Sequence, residues 1–347
     1  MTQAKRPQGM ILAAGLGTRL LPLTLSRPKP LMEVMGQPLI EYVLRHMHAA
    51  NVEQVVINTH YLGQQIVDAV GPTFKGIPLN YIFEKEILGT GGAVKNAAQF
   101  LQPPDSSVLL MNGDIFIDLN IPELMLVHEQ KQAMATLMLK TVDNPKLFGA
   151  IGTDADEQIR TIVNFVHYQG SALLERMFCG SHFLSPQIWQ AFPKAQAFSI
   201  IDAFYAPLIR ADKRIMGLEQ RGYYGDLGTP EILFQVNMDI LSGKIKFASH
   251  DFFEKFERMK DRVWLGREVK ISDSATLIGP VVIDDGAEIQ AGAKLGPHAI
   301  IGKRCVVGRN AEISASVVMS DTKIAPHQIC KQMILDKEHC VKISDSI

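Results

Sequence analysis

The sequence predicts an α/β protein, a doubly wound sheet followed by a parallel β-helix, and three observations carry that expectation. Short apolar runs alternate with helix-period segments between residues 10 and 111. The first of these runs breaks into a glycine turn followed by a row of cations. From Val263 onward, small or β-branched residues recur every six positions. Strands alternating with helices imply right-handed crossovers and a parallel sheet, with ligands beyond the carboxyl ends of the strands.

Met10 to Ala14 is apolar and short enough for a buried strand. Gly15-Leu16-Gly17-Thr18-Arg19 follows, and its two glycines let backbone N–H groups approach a ligand closely. Arg19, Arg27 and Lys29 come next, and prolines at 22, 28 and 30 predict an extended, non-helical path. A strand, a glycine turn and fixed cations suit a polyphosphate. Two familiar phosphate loops do not fit: Leu20 stands where a dinucleotide fingerprint needs glycine, and Gly17-Thr18-Arg19 does not supply the end of a Walker A loop.

Gln37 to Ala50 is apolar at 39, 40, 43, 44 and 47, a helical period. Val52–Asn58, Pro78–Phe83 and Val108–Met111 read as strands, and Tyr61–Val70 and Gly92–Leu101 as helices. After the strand ending at Phe83, Gly89, Gly91 and Gly92 lead into a helix and leave room for a flat ring against the backbone. Asn112-Gly113-Asp114 places a carboxylate just past the sheet, where an aspartate alone would be a cap or turn residue. Residues 133–140 and 149–153 are further strands. Ser199 reads as a helix cap, and Thr229-Pro230 as the start of a helix over Glu231–Leu241.

The run G-x-G-T-R-L, with P-K-P centred ten residues after the arginine, resembles the signature of the sugar-1-phosphate nucleotidyltransferases, or nucleotide-sugar pyrophosphorylases. Leu88-Gly89-Thr90-Gly91-Gly92-Ala93 and Asp226-Leu227-Gly228-Thr229-Pro230-Glu231 resemble further motifs of that family. The resemblance implies a Rossmann-like mixed sheet, the nucleotidyltransferase type A fold. It also implies transfer of a nucleotidyl group to a sugar 1-phosphate with release of pyrophosphate. Arg19 would meet the triphosphate and Lys29 its α-phosphate, while Asp114 and Asp226 would hold Mg²⁺. Leu12, Ala13, Ala14, Gly15, Gly17, Thr18 and Arg19 would cradle the nucleotide with Gly89, Thr90 and Gly91. Glu84 or Glu86 would accept from guanine N1–H and N2–H₂, favouring GTP and mannose 1-phosphate or a related sugar phosphate. Gly113, Gly149, Asn164 and Gly180 would contact the sugar.

One stretch departs from the family. Ile162 to Tyr168 lacks the Glu-Lys-Pro segment that holds the sugar phosphate, and His167 is the cation available there. Uridylyl or thymidylyl transfer, and a non-catalytic paralogue that binds a nucleotide sugar, stand as alternatives.

From Val263, ten hexads keep two positions apolar without insertion. A helix does not repeat at six, and the pattern is that of a hexapeptide β-helix. It resembles the left-handed type, three hexads to a triangular coil. The expected organisation is a catalytic domain at 1–243, a connector at 244–262, the β-helix at 263–322 and a capping tail at 323–347. Exposed ends of such a stack invite self-association, so a homo-oligomer through the β-helix is expected. An acyltransferase site between coils lacks a loop to supply a histidine.

Bulk properties set limits. Of 347 residues 47% are apolar, enough for a sizeable core. A net charge of −1 argues against a nucleic-acid or membrane-surface binder. Cys179, Cys305, Cys330 and Cys340 have no metal-ligand spacing and read as reduced structural thiols. No apolar core of signal-peptide length opens the chain, and no apolar run reaches the ~20 residues needed to span a bilayer. A cytoplasmic protein is expected.

Overall fold

A computed structural model describes residues 5–101 and 106–344. The first four residues of the N-terminal stretch and the last three of the predicted tail lie outside the described residues. The chain forms two compact units: residues up to Leu16 with Ile40–Tyr224, and Gly17–Leu39 with Gly225 onward. The glycine-turn loop and the end of the expected catalytic domain fold with the β-helix.

The first unit is built on strands β1 (Gln8–Ala13), β2 (Val55–Thr59), β3 (Ile77–Phe83) and β4 (Val108–Asn112). All four run parallel, with β1 between β2 and β4 and β3 beyond β2. Met10 and Ile11 of β1 are 0% exposed, as expected of a strand covered on both faces. Strands β5 (Ala135–Lys140), β6 (Ile151–Thr153), β7 (Ile159–Ile162), β8 (Leu174–Leu184) and β9 (Ile215–Glu219) extend the sheet. Its order is β7-β6-β8-β4-β1-β2-β3, Thr73–Phe74 closes the far edge, and β5 pairs with β8 and β9. Because β8 runs antiparallel to β4, β5 and β6, the sheet is mixed, as the resemblance implies. Helices α1 (Leu39–Ala49), α2 (Gly63–Val70), α3 (Gly89–Ala97), α4 (Ile121–Gln130) and α5 (Ala206–Arg210) connect the strands. The predicted elements all form, with shifted ends. α3 starts at Gly89 rather than at 92, so the glycines are inside it.

The second unit contains helix α6 (Pro230–Ser242), capped by the Thr229 hydroxyl as predicted, and a β-helix. Three parallel ladders repeat at 18-residue steps: Val263↔Val281↔Ala299, Lys270↔Glu288↔Val306 and Thr276↔Lys294↔Glu312. The two apolar hexad positions point inward, and Ala287, Ile289, Ala293, Leu295, Ala299 and Ile301 are at most 1% exposed. The last coil departs from the predicted unbroken repeat. Ile301 pairs with Val318 and Glu312 with Ile329, a step of 17, so Val318 joins the core cluster where the hexad count expects Met319. Coiling also continues past 322: Lys323–Ile324 and Ile329–Leu335 stack in parallel, and Cys340–Lys342 folds back antiparallel. Within this tail Ile334 is covered, whereas Ile329 is 71% exposed.

All four cysteines are free, and Cys179, Cys305 and Cys330 are buried. Burial pushes the thiols of Cys179 and Cys305 up to about 12, which leaves them inert. Among the described residues no helix is long and apolar enough to cross a membrane.

Candidate active site

The ends of β1, β2 and β3 are joined by one hydrogen-bonded relay. Ala13 N–H donates to Asn58 Oδ1 (3.1 Å), Asn58 Nδ2 donates to Glu84 Oε1 (2.8 Å), and Leu88 N–H donates to Glu84 Oε2 (3.1 Å). Asn58 is 3% exposed and Glu84 7%. The relay locks the loop after β1 to the entry of α3. Both carboxylate oxygens of Glu84 thus accept from protein donors in a buried setting. Glu86, two residues on, is exposed. Asn58 went unremarked in the sequence. Its signal there is a polar residue closing the apolar run Val55-Val56-Ile57.

The glycines of α3 lie against a neighbouring segment. A Cβ on Gly91 would overlap the Phe198 ring, and one on Gly89 would lie 2.7 Å from the Phe198 carbonyl oxygen. That carbonyl accepts from the N–H groups of Gly91 (3.0 Å) and Gly92 (3.2 Å), and Thr90 Oγ1 accepts from Ile200 N–H (2.9 Å). These glycines make room for the segment around Phe198, and two first-turn amides of α3 are satisfied by it. Ser199, expected to cap, accepts from Ile201 N–H at 3.2 Å just ahead of α5.

At the end of β4, Gly113 donates to the Leu12 carbonyl (2.8 Å), where a Cβ would crowd Ile11 and Leu12. Asp114 follows, partly buried. Gly180 has φ +72° at an irregularity in β8, and a Cβ there would lie 2.7 Å from Asn112 Nδ2. Gly149 (φ +78°) packs against Val163, whose neighbour Asn164 is exposed on a tight turn. The four expected sugar residues thus fall in two pairs: Gly113 with Gly180 around Asn112, and Gly149 with Asn164 around Val163.

In the second unit, residues 17–31 are not extended. They form three short 3₁₀ turns, Thr18–Leu20, Leu23–Leu25 and Lys29–Leu31. Proline fixes φ near the helical value as readily as near the extended one, which is why the expectation fails. Gly17 takes φ +65°, and the Thr24 hydroxyl donates to its carbonyl (3.0 Å). Lys29 is only 6% exposed, and its Nζ lies 3.3 Å from Asp226 Oδ1. Arg19, with 65% of its side chain exposed, reaches Asp226 Oδ2 at 3.2 Å. Gly228 makes that possible, since a Cβ there would sit 2.8 Å from the Arg19 guanidinium carbon. Partial burial favours the neutral carboxyl of Asp226, but the charges of Lys29 and Arg19 outweigh it and hold the group below its ordinary range. Two cations thus meet on Asp226, and the guanidinium is the exposed one. Arg27, by contrast, is committed to Glu33 and is not a free phosphate ligand.

Asp114 belongs to the first unit and Asp226 to the second. Among the described residues no three His, Cys, Asp or Glu side chains converge on a common point. Any divalent ion here would take much of its coordination from phosphate and water.

Glycine turns closing parallel strands, followed by cations held on Asp226, are the features of an α/β protein suited to phosphate esters. The chain belongs to the nucleotidyl transferase family, whose pattern matches residues 8–243, and residues 277–344 match the GMPPB C-terminal domain. It is 30% identical to the mannose-1-phosphate guanylyltransferase of Mycobacterium tuberculosis over 82% of this chain and 77% of that one. The mannose-1-phosphate guanyltransferase of Debaryomyces hansenii is 30% identical over 94% of this chain and 85% of that one. The UTP–glucose-1-phosphate uridylyltransferase of a Synechocystis strain is 25% identical over 96% and 88%. In fold it resembles the crystal structure of HddC from Yersinia pseudotuberculosis complexed with GMP-PN, with a TM-score of 0.54 and 24% identity. That match covers 67% of this chain and 99% of the other.

Proposed function

We propose that the protein transfers a guanylyl group from GTP to mannose 1-phosphate, giving the nucleotide sugar and pyrophosphate. The cluster of Lys29 and Arg19 on Asp226 carries this reading. A sugar-phosphate oxygen attacks the α-phosphorus in line, and the bond from that phosphorus to the β-bridging oxygen breaks. Phosphoryl-type transfer asks the protein mainly to position and to neutralise charge. Lys29, buried and fixed, suits the α-phosphate, where charge develops. Arg19, the exposed cation, suits the departing pyrophosphate.

The Leu12–Thr18 loop lies against the nucleotide. Glu84, Gly89, Thr90 and Gly91 fix the shape of its pocket, and Glu86 takes over the contact to guanine. Gly113, Gly149, Asn164 and Gly180 approach the sugar. Asp114 and Asp226 would hold Mg²⁺, an ionised Asp226 and a second carboxylate being the hard oxygen donors such an ion takes. The ion's contribution is Lewis-acid neutralisation of phosphate oxygens. Self-association through the β-helix belongs to the same reading, with sedimentation velocity as its check.

Pyrophosphate release from a panel of triphosphates and sugar 1-phosphates tests the reading, with GTP and mannose 1-phosphate expected to be fastest. Dominant release from UTP and glucose 1-phosphate would move the assignment to uridylyl transfer. No release from any pair, together with tight nucleotide-sugar binding, would favour the non-catalytic relative that the altered stretch 162–168 suggests.

A further inference from the structure

The loop that carries Arg19 and Lys29 is held by the β-helix, and Glu33 is the clasp. Glu33 is 4% exposed. Its Oε2 accepts from both the N–H (3.0 Å) and the hydroxyl (2.9 Å) of Ser320. Its Oε1 takes the Arg27 guanidinium, whose second nitrogen donates to the Ser320 carbonyl at 3.5 Å. Ser320 lies two residues beyond the strand Glu312–Val318, in the coil that is one residue short.

Two further anchors grip the same stretch. On α6, Asn237 Oδ1 accepts from Met35 N–H (2.8 Å), and its Nδ2 donates to the Glu33 carbonyl (3.3 Å). Gly36, at φ +70°, lies against Asp284, where a Cβ would overlap Oδ2. Asp284 is itself held by Lys255 at 2.7 Å. Helix α6 also begins just after Asp226, the partner of Lys29. Both ends of the Lys29–Asp226 pair are therefore set by one scaffold.

We propose that Glu33 is a positioning residue: its pairing with Ser320 and Arg27 ties the loop carrying Arg19 and Lys29 to the β-helix, which thereby sets where these cations stand. This rests on the reading that Arg19 and Lys29 meet the triphosphate. A buried carboxylate with a full set of partners is stable, and removing one partner leaves charge uncompensated. Displacing a positioning group by even 1 Å costs up to about 10²-fold in rate.

The test uses the full chain with Glu33→Gln and Ser320→Ala, each alone and combined with Lys29→Ala. Affinity for inorganic pyrophosphate is measured by calorimetry, alongside melting and the kcat and KM for GTP with mannose 1-phosphate. Glu33→Gln is expected to weaken pyrophosphate binding and lower kcat by about tenfold, with KM for the sugar phosphate within about twofold. Ser320→Ala, which keeps one of the two bonds to Oε2, loses about threefold in both. In the Lys29→Ala background Glu33→Gln costs less than it does alone, because part of its effect runs through that lysine and only the part through Arg19 remains.

A merely structural role would lower the melting point and leave the folded variants binding pyrophosphate like the wild type. That result, or full additivity with Lys29→Ala, overturns the proposal. Should Glu33→Gln fail to fold, Ser320→Ala decides by the same criterion. A wild type that binds pyrophosphate but releases none from any triphosphate overturns the enzymatic reading alone, since the affinity series still decides the clasp.

Discussion

Lys29 and Asp226 form a 3.3 Å ion pair in which the lysine side chain is 7% exposed and the aspartate 43%. The cation is the buried partner. A charge so enclosed is kept in one place, and the open side of the pair is its anion, which Arg19 covers from solvent. Lys29→Met keeps the length of the side chain and removes its charge. Turnover is expected to fall by about 10²–10³, the usual cost of one fixed donor at a developing charge, with melting little changed. The acid limb of the pH profile should move upward as Asp226 loses a cation that holds its carboxyl low. A pyrophosphate-release profile with an unmoved acid limb would contradict that coupling.

Chelation should abolish turnover and added Mg²⁺ restore it, if two carboxylates hold the ion. Asp114→Ala is expected to remove turnover while leaving the far-UV spectrum and melting curve intact. Near-normal rates in that variant would mean that the metal assignment is mistaken.

Glu84 spans Asn58 and Leu88 N–H. Glu84→Ala leaves two buried donors unmet, so urea unfolding should show a loss of about 1–3 kcal/mol. The preference for GTP over UTP should stay within about twofold, because the base contact is assigned to Glu86. A swing in base preference with no loss of stability would return the reading of the base to Glu84.

Gly91→Ala drives a methyl group into the Phe198 ring. Overpacking of this kind costs about 1–3 kcal/mol, read as a lower denaturation midpoint. A variant as stable as the wild type would show that the segment around Phe198 yields easily.

Two buried histidines make stability depend on pH. Burial depresses His182 to about 3 and His128 to about 4, from an ordinary 6.5. His182 bonds Tyr205 Oη at 2.7 Å, and His128 lies between Thr136 and Ser185. Between about 6.5 and 3 the unfolded chain binds more protons than the folded one, so stability is complete above 6.5 and falls as pH drops through that window. His182→Phe, with Tyr205→Phe to avoid an unmet hydroxyl, should flatten the curve. An equally steep curve in the double variant would place the proton uptake elsewhere.

Periodicity carried the scaffold. The strands around β1 and the hexads from Val281 to Ile313 were legible because each buries one set of positions at a fixed spacing, and burial is what periodicity encodes. The cations Arg19 and Lys29 were legible as residue types close to a glycine turn. Their meeting on Asp226 was not, because that pairing joins residues some two hundred positions apart. Wide separation along the chain likewise hid Glu33 with Ser320 and the crowding of Gly91 by Phe198. A glycine in a sequence says that space is short without saying what fills it. The dropped residue in the last coil escaped because Val317, Val318 and Met319 are all apolar, so the six-residue count survives a slip of one.

The discontinuous make-up of the second unit bears on how the chain can be cut and recombined. Residues 17–39 and the stretch from Gly225 belong to one compact body. Truncation after residue 243 therefore amputates the scaffold of a loop encoded at the other end of the molecule. Swapping in the β-helix of a relative would transplant half of a matched set. Chimeras of this family should keep their activity only when the N-terminal loop travels with the C-terminal coils, so the heritable module is a pair of segments and not a terminal domain.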